Sequence, residues 1–186
     1  MKYFETIKCI DKKALYLDYH LKRVFNTIGK KLDFDSFINP PDNKLYRCKV
    51  IYTKDGIEDI NYFEYKKKDI NSCKIVHKDD LQYNYKYLDR SSINSLLDKN
   101  FDEIIIVKDD LVTDTSIANI AVYYENKWLT PKRPLLYGTT RQRYIDNGIL
   151  KEADITVDMI QNSKQIAFLN AMIDFDIIKH RIRFDI

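Results

Sequence analysis

Glycine is scarce in this chain, with four residues in 186, and cysteine numbers only three. Cys9, Cys48 and Cys73 show no CxxC pair and no metal-ligand spacing, and an odd count argues against a disulfide scaffold. Cys48 alternates with apolar neighbours in RCKVIY and reads as a small core residue. No apolar run approaches the roughly 18 residues of a membrane span. The opening stretch MKYFETIKCID lacks the long apolar core of a signal peptide. Neither charge dominates: 31 Lys and Arg face 28 Asp and Glu, for a net +3, unlike the basic excess of nucleic-acid binders. The densest basic cluster, EYKKKD, reads as a solvated strand end or turn. No repeat or low-complexity linker interrupts the chain, and no Gly-Lys-Ser/Thr forms a Walker loop. These absences predict a soluble cytoplasmic protein with reduced thiols, no metal, and no nucleic-acid or membrane partner.

What is present is a core: 45% of the residues are hydrophobic. The length fits one domain or two small lobes. KYFETIKCI alternates and predicts a strand; DKK turns the chain, and ALYLDY predicts a second strand. In YHLKRVFNTIGKKL, His20, Val24 and Ile28 recur at i, i+4 and i+8, which predicts a helix with one apolar stripe. DFDSFINPPDN predicts a short helix ended by Pro40 and Pro41. KLYRCKVIYTKDGIEDINYFEYKKK is a hairpin pattern around KDG, and CKIVH a further strand. From Asn71 to about Arg90 the character changes. Beyond it come helix SSINSLLDKN, strand EIIIV, turn KDD, strand SIANIAVYY, turn EN and strand KWLT. A turn and helix in YGTTRQRYIDNGIL, extended EADITV, short helix VDMIQNS and buried strand QIAFLNA complete the chain. The expectation is an α+β chain in two lobes, residues 1–80 and 81–186.

Four short stretches could carry chemistry. In NYKYLDRSS, Lys86 lies between Tyr85 and Tyr87, with Arg90 four residues on. Burial and a neighbouring cation favour the neutral, nucleophilic amine, while the alternative is a lysine snorkelling past tyrosines. In YGTTRQRYI, Gly138, Thr139 and Thr140 precede a helix, whose N-terminal N–H groups suit an anion; an ordinary Thr N-cap is the alternative. In LVTDTS, Asp114 reads as a turn aspartate unless a cation such as a protonated ring nitrogen sits beside it. In YHLKRV, Arg23 is a helix-face cation that could reach a phosphate.

Taken in order, these stretches resemble the fold-type IV pyridoxal-phosphate-dependent enzymes, that is, class IV aminotransferases and aminodeoxychorismate lyase. YFETIK is similar to the family's Phe-Glu-Thr segment, HLKR to its His-x-x-Arg helix, and KYLDR to the lyase's Lys-x-Leu-Asn-Arg. DEIIIVKDDLVTDTSIANIAV resembles its Asp-Glu strand and Val-Thr-Glu-x-x-x-x-Asn-Ile run; YGTTRQR resembles its Gly-x-x-Arg phosphate turn, and FLNAM its Asn-Ala-Leu/Met segment. The resemblance implies the two-lobed architecture of D-amino-acid aminotransferase, with pyridoxal 5'-phosphate as cofactor and a homodimeric assembly. It implies that Lys86 bonds covalently to the cofactor and moves protons. Arg23 with Gly138, Thr139 and Thr140 would hold the phosphate, and Asp114 would pair with the ring nitrogen. Asn119 would support that strand. Arg47 and Asn170 are the substrate-binding candidates, while Tyr83, Tyr85 and Tyr87 line the pocket or pack in the core.

Two features depart from the family pattern. Asp114 stands where a glutamate is usual, one methylene shorter. The chain also starts almost at YFET, so the expectation is a first lobe trimmed at its N-terminus. KYLDR and FLNAM favour an aminodeoxychorismate lyase-like enzyme that acts on a small amino-acid-like substrate and releases pyruvate and 4-aminobenzoate, a folate precursor. A branched-chain or D-amino-acid aminotransferase and a non-catalytic cofactor binder remain the alternatives.

Overall fold

The computed structural model describes residues 1–178 and 183–185. The chain forms two compact units: residues 1–67 with 85–89, and residues 68–84 with 90–186. The sequence suggested one boundary near residue 80; the chain instead changes unit at three places, because a five-residue segment around Lys86 belongs with the first unit.

The first unit is built on an antiparallel four-stranded sheet. β1 (Tyr3–Ile10) is flanked by β2 (Lys13–Ala14), and helices α1 (Leu17–Ile28) and α2 (Phe34–Phe37) precede β3 (Tyr46–Tyr52) and β4 (Ile57–Glu64). The sheet order is β2-β1-β3-β4. Tyr3, Glu5, Ile7 and Cys9 are all buried, the period of two expected of a strand with one face in the core. Opposite them α1 buries His20, Val24 and Ile28, the stripe legible in the sequence. Gly29 ends the helix at φ 72°, and its N–H bonds to the Phe25 carbonyl at 2.8 Å. Asp33 caps α2 by accepting the Ser36 N–H at 3.0 Å.

The expected strand ALYLDY is corrected. Only Lys13 and Ala14 pair with β1, because Asp11 and Lys12 are both left-handed and make a tight turn. Tyr16, at φ 55°, then turns the chain directly into α1.

The segment around Lys86 lies along the open stretch of β1. The Lys86 carbonyl accepts the Phe4 N–H at 2.9 Å, and the Leu88 N–H reaches the Lys2 carbonyl at 3.0 Å. Tyr3 and Tyr87 form an antiparallel bridge.

The second unit is a nine-stranded mixed sheet. Its elements are β5 (Ser72–His77), α3 (Ser91–Asn94), β6 (Glu103–Lys108), β7 (Leu111–Thr115), β8 (Asn119–Tyr124), β9 (Lys127–Pro131), α4 (Thr139–Asp146), β10 (Leu150–Ala153), α5 (Val157–Asn162), β11 (Gln165–Asn170), β12 (Asp174–Ile177) and β13 (Arg183–Asp185). The path runs β10-β9-β8-β7-β6-β5-β13, and β11 pairs with β8 and β12. Ile105, Val107, Ile120, Val122, Ile160 and Phe168 form its core. β6 is an almost continuous buried run, as strands covered on both faces are, and pairs in parallel with β5, which buries Cys73 and Ile75 in alternation.

A second correction concerns β7. The sequence suggested a turn through Asp114 and a strand starting at Ser116. The strand in fact covers Leu111–Thr115, the turn is Ser116–Ala118, and β8 begins at Asn119. Polar side chains disguise β7, yet they are buried and bonded: Thr113 Oγ1 donates to the Ile106 carbonyl at 2.9 Å and Thr115 Oγ1 to the Ala118 carbonyl at 3.1 Å. The KDD turn forms as expected, with Asp109 and Asp110 both left-handed. A left-handed Glu125–Asn126 pair likewise joins β8 to β9.

Candidate functional site

In the first unit, Glu5 points from β1 into the core and is fully buried. It is met there by two side chains from α1. Arg23 grips it with two nitrogens, Nε on Oε1 at 2.8 Å and Nη2 on Oε2. His20 Nδ1 lies 2.6 Å from Oε2. Burial pushes the Glu5 carboxyl up, but the Arg23 charge and the His20 contact outweigh it and hold it down to about 2. The carboxylate is therefore ionised and only accepts, so His20 Nδ1 carries the proton of that bond. Burial lowers the His20 pKa against the pull of Glu5, and the charges of Arg23 and Lys86 lower it further. A neutral imidazole follows at neutral pH.

Lys86 is half-buried, with Nζ 4.6 Å from the centre of the Phe4 ring, the residue before Glu5. The tyrosines beside it pack together: Tyr3 sits 6.1 Å from Tyr85 and 5.6 Å from Tyr87, ring centre to ring centre. Arg47 stands elsewhere in this unit, exposed on β3 and stacked 4.9 Å over Phe63 of the neighbouring strand.

In the second unit, the register sets Asp114 opposite Asn119. Asn119 Nδ2 donates to Asp114 Oδ1 at 2.6 Å and to the Leu136 carbonyl at 2.8 Å. The Leu136 N–H donates to Asp114 Oδ2 at 2.8 Å. Burial pushes the Asp114 carboxyl up to about 7, against the downward pull of the Leu136 N–H, the Asn119 amide and the Arg141 charge. Among the described residues no cation bonds to it.

Two residues past Leu136 the chain enters α4. Gly138 is its N-cap, and no side chain caps the helix there. The first intrahelical bond is Gln142 N–H to the Gly138 carbonyl, at 2.9 Å, so the N–H groups of Thr139, Thr140 and Arg141 precede the ladder. Thr139 and Thr140 are buried. Gly138 has ordinary backbone angles, so its role is spatial: a Cβ there would lie 1.8 Å from Asn119 Oδ1. One asparagine thus touches both the buried aspartate and the helix start. Arg141 is 1% exposed and is held by the Pro131 carbonyl and Glu152. Its charge adds to the positive end of the helix.

Asn170, at the end of β11, spends its amide on backbone. Nδ2 donates to the Ile117 carbonyl at 3.3 Å, and Oδ1 accepts the N–H groups of Met172 and Ile173. Tyr83 is buried in this unit.

The described model of amino-transferase class IV matches residues 88–179. A Haemophilus influenzae protein, named only as uncharacterized, is 40% identical over 135 residues, covering 72% of this chain and 71% of that protein. The solved structure of a "putative 4-amino-4-deoxychorismate lyase" from Haemophilus somnus is 28% identical, with a TM-score of 0.80 over 92% of this chain and 96% of that one. The chain belongs to the class IV amino-transferase family. A "hypothetical aminotransferase" from Mycobacterium tuberculosis in its PLP-bound form, 16% identical, shares the fold alone, at a TM-score of 0.80 over 99% of this chain and 81% of that one.

The residues of this family member suit pyridoxal phosphate. Uncapped N–H groups, two buried threonines and a helix dipole suit a phosphate dianion. A buried carboxylate without a bonded cation suits a protonated ring nitrogen, which would supply the missing charge. Glu5 and His20 were not singled out in the sequence. The signal was present: Glu5 occupies a core-facing position of β1, and a buried carboxylate needs a partner, which the His20 stripe supplies.

Proposed function

We propose that this enzyme uses pyridoxal 5'-phosphate to eliminate pyruvate from 4-amino-4-deoxychorismate, giving 4-aminobenzoate. The observation that carries the reading is the buried Asp114, to which no cation is hydrogen-bonded among the described residues, tied through Asn119 to the uncapped start of α4. The printed name of the Haemophilus somnus neighbour supports the choice of substrate. The cofactor, when bound, supplies the electron sink that stabilises negative charge at the substrate Cα.

This chain's residues do the rest. Lys86 Nζ would hold the cofactor covalently, and its amine would remove the substrate Cα proton and later deliver a proton. Asp114 stays ionised against the ring nitrogen and keeps that nitrogen protonated. The N–H groups and hydroxyls at Thr139 and Thr140 bind phosphate oxygens, together with Arg23, whose guanidinium is oriented by Glu5. Loss of the Cα proton is followed by cleavage of the bond to the enolpyruvyl oxygen. The departing group takes up the proton and leaves as pyruvate, and the ring becomes aromatic. Arg47 remains the candidate for a substrate carboxylate, and Asn170 is assigned to the substrate end of the site through the turn it braces. The working form is a cytoplasmic homodimer, checked by sedimentation.

The test is incubation of cofactor-loaded protein with 4-amino-4-deoxychorismate. The expected products are equal amounts of pyruvate and 4-aminobenzoate. Amino-group exchange between amino and keto acids without elimination would assign the site to transamination instead.

A further inference from the structure

The turn between β7 and β8 carries more side-chain bonds than its own folding needs. Thr115 already closes it: the Thr115 N–H donates to the Ala118 carbonyl at 2.8 Å, and Thr115 Oγ1 accepts the Ala118 N–H at 3.0 Å. Three further side chains from distant parts of the second unit grip the peptides at its tip. Arg90 Nη2 donates to the Ser116 carbonyl at 2.6 Å. Glu103 Oε1 accepts the Ser116 N–H at 3.1 Å while also accepting its neighbour Ile104 N–H at 2.8 Å. Asn170 Nδ2 donates to the next carbonyl, that of Ile117.

We infer that Arg90 and Glu103, with Asn170 on the next peptide, are positioning residues that fix the Ser116–Ile117 turn and through it the placement of Asn119 and Asp114. The inference rests on the cofactor-facing role proposed for Asp114. The argument is one of cost. Glu103 is 4% exposed, and Arg90 buries its Nε with no hydrogen-bond partner among the described residues. Burying charged groups is a poor route to stability when apolar side chains could fill the same volume. Here the two charges bracket one residue, the anion on the Ser116 N–H and the cation on the Ser116 carbonyl. Charge-assisted bonds are stronger and more directional than neutral ones. Their effect is a turn that does not rock.

What the turn controls follows from the register. Asp114 and Asn119 are the paired residues of β7 and β8, separated by Thr115 and the three turn residues Ser116–Ala118. A shift of the tip moves Asn119, which would withdraw its amide from Asp114 and its oxygen from beside Gly138. The groups that face Asp114 are Asn119, the Leu135 and Leu136 N–H groups, and the Arg141 charge. Any displacement therefore reads out as a changed Asp114 titration.

The experiment is a 13C-NMR titration of the Asp114 carboxyl in cofactor-free protein, for wild type, Arg90→Lys and Glu103→Gln. Lysine keeps the charge but is too short to keep the bond; glutamine keeps the acceptor but drops the charge. The expected result is a change in the Asp114 ionisation constant of about tenfold in Arg90→Lys and a smaller change in Glu103→Gln, where the bond to the Ser116 N–H is kept but weakened. A wild-type titration in Arg90→Lys, with only a lowered melting temperature, would make the clamp merely structural and overturn the inference. A wild-type constant in Glu103→Gln would likewise remove Glu103 from the clamp and overturn the inference. The near-visible absorption of cofactor-saturated wild type is recorded separately. Its absence, with the Arg90→Lys shift retained, overturns the cofactor reading and leaves the clamp.

Discussion

Asn119 donates through Nδ2 to Asp114 Oδ1 at 2.6 Å, while its Oδ1 occupies the place where a side chain at residue 138 would begin. The asparagine thereby sets the spacing between a buried carboxylate and a helix N-terminus. Both are groups that the proposed function assigns to one phosphorylated, ring-bearing cofactor.

Gly138→Ala tests that spacing. The new Cβ meets Asn119 Oδ1 at 1.8 Å, so Asn119 must move. Overpacking of this kind costs about 1–3 kcal/mol. Urea unfolding is expected to show that loss. Titration with pyridoxal phosphate is expected to show weaker binding, because the Asn119 bond to Asp114 is broken along with it.

Asp114 makes the cofactor-free protein pH-sensitive. Its pKa is about 7 in the fold, because burial raises it from the ordinary aspartate value of 3.8. A raised carboxyl pKa favours the fold below the unfolded value. That contribution is lost as pH climbs from about 4 through about 7. Asp114→Asn removes the ionisation, so the urea midpoint is expected to vary less over that window than in wild type. Activity is expected to fall sharply at every pH.

Glu5 works in the opposite direction. Arg23 and His20 hold its carboxyl down to about 2 in spite of burial, so it stabilises the fold above about pH 4.5 and loses that contribution as pH falls toward 2. Glu5→Gln breaks a buried ion pair, at a cost of about 3 kcal/mol. Thermal melts at pH 7 are expected to register the loss, and the gap between variant and wild type should close on acidification. Binding of inorganic phosphate should also weaken, because Arg23 loses the group that orients it.

Much of the fold was legible because burial follows simple periods. The α1 stripe of His20, Val24 and Ile28, the alternation of β5 and the apolar run of β6 all declare themselves. ALYLDY misled because alternation alone says nothing about Tyr16, whose left-handed backbone starts a helix instead. β7 was hidden because Thr113, Asp114 and Thr115 are polar yet buried, a pattern that sequence periodicity assigns to a turn. At the site, Asp114, Asn119 and the Gly138–Thr140 turn could be marked from order and spacing, and the fold brings them into one cluster. Glu5 was readable from its core-facing position but needed a partner to be noticed. The grip of Arg90, Glu103 and Asn170 on the Ser116–Ile117 turn was not readable at all. Its target is backbone, which carries no residue signature, and its members lie far apart in the chain.

The most direct test of the account is the absorption spectrum of purified protein saturated with pyridoxal phosphate and then freed of excess. Wild type is expected to show a near-visible band that persists through gel filtration and is absent from Lys86→Ala. A wild-type spectrum without that band, or a band that survives in Lys86→Ala, would contradict the assignment of Lys86 as the covalent anchor.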